Sequence, residues 1–184
     1  MKILHTADWH LGKKLDRFSR LEEQIEVLEE IIGVADEKAV DLVLIAGDLF
    51  DNFNPSVEAI ELFYKTLKRL TSNGKRPVIA ISGNHDSPYL VDSPNSLARE
   101  CGIILIGHPN TKVLPMNLEH FKITASAEGF FELQLKNQNF PVRIVHTPYA
   151  SEMRLKEYLG ENKESELNRV LAENWAKNAD HFCD

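Results

Sequence analysis

Three short stretches gather side chains that bind cations and move protons: "HTADWHLG" at 5–12, "IAGDLFD" at 45–51 and "ISGNHD" at 81–86. Each follows an apolar run, so each falls where a buried strand gives way to a loop. Asp8, His10, Asp48, Asn84 and His85 offer carboxylate, imidazole and amide oxygen. That mixture suits Mn²⁺, Fe²⁺ or Zn²⁺ better than Mg²⁺ or Ca²⁺, which prefer all-oxygen shells. A carboxylate held between two such anchors can bridge two cations about 3.5–4 Å apart, which together clamp the attacking and leaving oxygens of a phosphoryl centre. Gly47 and Gly83 let the backbone turn sharply and leave room for ions.

Taken singly, these residues have plainer uses. An Asp or Asn after a strand commonly forms a turn or caps a helix. His5 reads as a packed core histidine, and Asp51 and Asn52 as caps of the next turn. The conjunction of three such turns on consecutive strands is what argues for a site. In open α/β sheets, ligands gather outside the carboxyl ends of the strands, so the three loops should meet on one rim.

The elements that must position them alternate. Residues 2–6, 41–47, 77–83 and 103–107 read as buried strands. Ser19 and Glu22 form a capping box for a helix with Leu21, Ile25, Leu28, Ile32 and Ala35 on one face. Asn54-Pro55 supplies an N-cap and first residue for a helix to about Ser72, closed by Asn73-Gly74. A short helix spans "SPNSLARECG". From 111 to 146 the runs shorten into antiparallel strands, and 151–180 reads as polar helix. The expected fold is α/β: a two-layered mixed β-sheet sandwich flanked by helices, in one domain over 1–184.

The bulk numbers set limits. The chain has 184 residues, 43% hydrophobic and 27% charged, with no apolar stretch near the ~20 residues that span a bilayer. Asp8 and His10 come too early for a secretory leader, and Cys101 and Cys183 make no disulfide framework or zinc knuckle, so a reduced cytoplasmic protein is expected. The net charge of −7 would argue against a phosphate-rich partner, but carboxylates that hold cations count towards it and leave the substrate undecided.

D-x-H, then G-D-x-x-D, then G-N-H-D, at these intervals, resemble the first three motifs of the calcineurin-like metallophosphoesterases. Within that superfamily, "HTADWHLGKKL", "LVLIAGDLFD" and "GNHDSP" are similar to the DNA nuclease subunits that work with an SbcC-type ATPase in double-strand-break repair and recombination. The resemblance implies two divalent cations, with Mn²⁺ the expected metal. Asp8 and His10 would hold the first, Asp48 would bridge both and Asn84 would bind the second. His85 would protonate the leaving oxygen, and Asp86 would orient it. It also implies double-strand exonuclease and hairpin or single-strand endonuclease activity. Small cyclic-nucleotide esterases share G-N-H-D and stay open as an alternative, as does a catalytically silent scaffold relative.

Lys13, Lys14, Arg17 and Arg20 follow the first loop, where they could meet a DNA backbone or simply form a solvated loop and helix start. A homodimer through the helices near 55–72 and 93–101 is the expected use of their surplus apolar side chains. The family adds a later histidine and a G-H-x-H pair. This sequence has no G-H-x-H, and neither His146 nor His181 matches those contexts. The expectation is therefore an incomplete nuclease domain, with the remaining ligands and the ATPase-binding segment beyond residue 184, weak metal binding and little activity. Tyr149 is expected near the site.

Overall fold

The computed structural model describes residues 1–180; His181 and Cys183 fall outside them. Four parallel strands, β1 (Ile3–Thr6), β4 (Leu42–Ala46), β5 (Val78–Ile81) and β6 (Ile103–Ile106), form one sheet in that order. Between β1 and β4 come a small antiparallel hairpin, β2 (Lys14–Leu15) and β3 (Phe18–Ser19), and helix α1 (Leu21–Glu37). Helix α2 (Val57–Leu70) links β4 to β5, and two short helices, α3 (Pro88–Asp92) and α4 (Asn95–Glu100), link β5 to β6. A second, antiparallel sheet follows: β7 (Phe121–Ala127), β8 (Phe130–Leu135) and β9 (Val142–Val145). Helices α5 (Glu152–Leu155) and α6 (Lys163–Ala179) come last.

Strand alternation builds two cores from one sheet. Val43, Ile45, Val78, Ala80, Ile103 and Leu105 face Leu28 and Ile32 of α1 and Phe63 and Leu67 of α2. Their neighbours Leu42, Ile79, Ile104 and Ile106 face Phe121, Phe131, Leu133 and Leu135 of the antiparallel sheet. A continuous apolar run is needed because both faces of the strands are covered, by helices on one side and a sheet on the other. The mixed sandwich flanked by helices is the expected fold class.

Local differences have local causes. Ser19 lies in β3, and its hydroxyl accepts only the Leu21 amide at 3.2 Å, so Arg20 takes the cap position and no capping box forms. The cap of α2 is Ser56, which accepts from Ala59 N at 3.3 Å, rather than Asn54. His5 is exposed, not packed in the core, because β1 is the edge of its sheet. Helix α3 and the β2–β3 hairpin are too short to show a period in the sequence. The "TKVLPM" stretch makes one isolated bridge, Lys112 with Glu128, in place of a strand.

His146 follows β9 and is buried beside Phe131, with neither ring nitrogen in a hydrogen bond of good geometry. Burial pulls its pKa down to about 4, against a small opposing effect of the Thr111 main chain. Between about pH 6.5 and 4 the unfolded chain therefore binds more protons, so stability rises with pH. The His146 contribution to stability should be fully present above pH 6.5 and be lost, by up to about 3 kcal/mol, as the pH drops towards 4. Urea denaturation of His146→Leu should lack that part of the pH dependence.

Candidate metal centre

The three loops leave the carboxyl ends of β1, β4 and β5 and are zipped together beyond the sheet. Asp8 N donates to Gly47 O at 3.1 Å, His10 N to Asp48 O at 2.9 Å, and Leu11 N to Leu49 O at 3.0 Å. Trp9 and Leu11 of the first loop and Leu49 and Phe50 of the second turn inward and join the helix-side core. Phe63 of α2 meets Phe50 edge-on at 5.0 Å and Trp9 at 6.2 Å. Burying the apolar members of each loop leaves the polar members between them on the rim. The bend has a cost: Asp8, His10 and Asp48 sit at φ of 57°, 46° and 48°, a region that residues with a Cβ seldom enter.

Asp86 ties the second loop to the third. Its carboxylate is wholly buried and accepts backbone N–H groups from Leu49 at 3.0 Å, Phe50 at 2.8 Å and Gly83 at 2.7 Å. Burial pushes this carboxyl up from its ordinary range, the three amides pull it back, and the Asp48 charge adds to the rise. The first loop is held by Gln24 of α1, which donates to His10 O at 2.7 Å and Trp9 O at 3.2 Å and accepts from Gly12 N at 3.0 Å.

The donors converge on the rim. His10 Nε2 lies 3.8 Å from Asp8 Oδ1 and 3.8 Å from Asp48 Oδ2. One ligand atom from each of His10, Asp48 and His85 falls within 4.8 Å of the others. The His10 and His85 rings meet edge-on at 4.9 Å. The Asp48–His10–Asp8 distances are too long for hydrogen bonds. They approach the separation of about 3–3.5 Å between two donors that share a cation at about 2.1 Å. His10 Nδ1 is buried without a hydrogen bond, with Asp51 Oδ1 3.7 Å away. Carboxylate oxygens and imidazole nitrogen around one point fit a divalent transition metal.

Asp8, His10, Asp48 and His85 thus come together as the sequence implied. Asn84 lies exposed on the same loop, next to His85. The Asp86 oxygens face the amides of Leu49, Phe50 and Gly83 and not the His85 ring, which the expected role of orienting it would need. His85 Nδ1 instead meets Asp51 O at 2.8 Å, and His85 N donates to Asp48 Oδ1 at 3.1 Å. Asp51 therefore belongs to the site, although its residue type and place suggest only a turn cap. Its contact with His85 is through the main chain and carries no residue signal. The D-x-x-D spacing after Gly47 signals only the carboxylate, which lies 3.7 Å from His10 Nδ1.

Lys13 and Arg20 line a groove of about 310 Å³ that runs from Asp8 and His10 along Val27 and Ile31 of α1. Lys13 pairs with Asp51 at 3.4 Å and Arg20 with Glu23 at 2.6 Å. Lys14 and Arg17 lie on the exposed hairpin, with Arg17 over the Phe18 ring. Tyr149 reaches the site through its main chain, Tyr149 N donating to Ser82 O at 2.9 Å.

A Cβ on Gly83 would overlap the Asp48 amide and carboxylate. Gly83→Ala should lower Mn²⁺ affinity at least tenfold, read by electron paramagnetic resonance of free Mn²⁺. Gly33, in the middle of α1 with open space around it, is the control: Gly33→Ala should raise stability by about 0.5–1 kcal/mol and leave Mn²⁺ affinity unchanged.

The sequence profile of the calcineurin-like phosphoesterases matches residues 1–180. The SbcD subunit of the SbcCD nuclease of Bacillus subtilis is 38% identical over 169 residues, which is 92% of this chain and 39% of that protein. The Rhodobacter capsulatus protein of the same name is 39% identical over 58% of this chain and 27% of its own length. That of Staphylococcus epidermidis is 49% identical over 47% of this chain and 23% of its own length. The chain thus spans about two fifths or less of these relatives. With one family profile covering almost its full length and the family's first three motifs meeting on one rim, this chain belongs to the calcineurin-like phosphoesterases.

Proposed function

We propose that this chain is the cation-binding part of a DNA nuclease subunit that hydrolyses phosphodiester bonds in partnership with an SbcC-type ATPase. The observation that carries the reading is the convergence of Asp8, His10, Asp48 and His85, in a chain similar to three nuclease subunits. Two divalent cations, Mn²⁺ in this reading, would supply Lewis-acid polarisation of the phosphoryl oxygens and acidify a bound water. Asp8, His10, Asp48 and Asn84 are the residues that would hold them, with Asp8 and His10 towards one cation, Asn84 towards the other and Asp48 between.

His85 is the proton donor to the departing oxygen. Its Nδ1 faces Asp51 O, which fixes the ring and leaves Nε2 for substrate. A general acid contributes typically 10²–10⁴-fold. Lys14 and Arg17 on the hairpin, with Lys13 and Arg20 along the groove, meet the DNA backbone beside the cations. Such a substrate implies work in the cytoplasm. The remaining ligands and the ATPase-binding segment lie, in this proposal, in the part of the relatives that the chain does not span, so residues 1–184 alone bind cation weakly and turn over slowly.

A homodimer through α2 and α4 completes the proposal. Val57 and Leu97 there are 74% and 72% exposed, which leaves apolar surface for a second copy. Sedimentation at high concentration should show self-association that Leu97→Glu weakens.

Mn²⁺-dependent cleavage of bis-p-nitrophenyl phosphate, then of linear and hairpin DNA, tests the function in the full-length protein. His85→Gln should lower the rate about 10²–10⁴-fold while Mn²⁺ affinity changes little. Cleavage of the small diester with none of DNA would overturn the nuclease reading.

A further inference from the structure

A buried arginine from outside the three motifs holds the third loop. Arg154, in α5, is 8% exposed, and its guanidinium points at residues 82–86. Nη1 donates to Gly83 O at 2.9 Å and Ser82 Oγ at 3.1 Å, and Nη2 donates to Asp86 O at 2.7 Å. The Gly83 and Asp86 carbonyls stand on either side of Asn84 and His85. One planar, rigid group therefore fixes both ends of that dipeptide, as the single rotating ammonium of a lysine could not. Arg154 is braced in turn. Its guanidinium lies over the Tyr149 ring at 5.0 Å, and Ser151 Oγ accepts its backbone N–H at 3.4 Å.

The charge has a second effect. Burial disfavours the guanidinium charge and the nearby charges of Asp86 and Asp48 favour it, so in return it offsets part of the repulsion between those two carboxylates. Arg76 shows what an arginine with a purely structural task looks like here. It is equally buried and donates to Leu70 O at 2.6 Å, Ala35 O at 2.9 Å and Asp36 Oδ1 at 2.9 Å, tying the ends of α1 and α2 with no contact to the metal loops.

We infer that Arg154 is a positioning residue, which sets Asn84 and His85 in register with the cations and the scissile phosphate. The inference rests on the reading given under Proposed function. Residues supporting a metal site from behind its ligands typically change metal affinity 10–100-fold. Arg154→Met should therefore weaken Mn²⁺ binding at least tenfold, and Arg154→Lys should do the same to a smaller extent.

The experiment compares wild type, Arg154→Lys, Arg154→Met and Arg76→Lys, each in the full-length protein used to test the proposed function. It reads Mn²⁺ affinity by electron paramagnetic resonance, melting temperature in EDTA, and kcat and KM on bis-p-nitrophenyl phosphate. Expected is a loss of Mn²⁺ affinity and kcat in the Arg154 variants with KM nearly constant, and in Arg76→Lys a lower melting temperature with Mn²⁺ affinity within about twofold of wild type. Should Arg154→Met fail to fold, Arg154→Lys carries the comparison, and an unfolded Arg154→Lys in EDTA would make Arg154 a determinant of the fold and sink the inference. Wild-type affinity in both Arg154 variants, or an equal loss in Arg76→Lys, would overturn it while leaving the metal site standing. A wild-type protein that binds no Mn²⁺ would overturn both.

Discussion

One buried carboxylate links the parts of this molecule that must act together. Asp86 has no exposed surface and places its oxygens on the amides of Leu49, Phe50 and Gly83. Each of those amides belongs to a loop that has left its strand and would otherwise have an unpaired donor in the interior, which costs about 1–3 kcal/mol per group. By serving two loops at once, the carboxylate makes the position of Asp48 depend on that of His85. Asp86 stands in the same four-residue run as Asn84 and His85, yet its contribution is geometric: it closes the frame in which they sit.

That frame has to oppose electrostatics. Asp8, Asp48 and Asp51 each approach His10 within 3.8 Å, so three carboxylates gather around one imidazole, and like charges so grouped repel. Positive φ at Asp8, His10 and Asp48 adds backbone strain at the same three residues. What counters both is apolar burial and donors supplied from elsewhere: Trp9 and Phe50 against Phe63, Gln24 from α1, and Arg154 from α5. A cation on the rim removes the repulsion, so the apo protein is prepared for binding at a cost the core sustains. The net charge of −7 reflects this in part and says little about whether the substrate is a polyanion.

The division of labour between the two sheets follows from the alternation of strand side chains. The parallel sheet carries the loops, and its second face needs a cover, which Phe121, Phe131, Leu133 and Leu135 supply. The antiparallel sheet also leads the chain back across the molecule, so that Tyr149 and Arg154 arrive behind the third loop. Residues far from the motifs in sequence thereby become part of the support of the site.

Much of this was legible in the residues themselves. Apolar runs of strand length marked β4, β5 and β6, because a strand covered on both faces must be apolar at every position. Strand β1, expected to be buried, lies instead at the edge with Ile3 and His5 exposed. The three loops announced themselves because ligand-type residues directly after such runs can only lie at the sheet's carboxyl edge. Side-chain direction was not legible, since it depends on what packs behind each loop. Asp51 read as a turn former and Asp86 as the partner of His85; once the loops were packed, the Asp51 main-chain carbonyl met His85 and the Asp86 carboxylate tied two loops together. His5 read as core, though a strand's place at the edge of a sheet is fixed by pairing rather than by its own residues. Nothing near Arg154 in the chain hints at a metal loop, because its partners are 68 to 72 residues away. Local sequence determines which residues leave a strand and with what chemistry; only the folded chain decides which of their neighbours hold them there, because that depends on contacts made across the whole molecule.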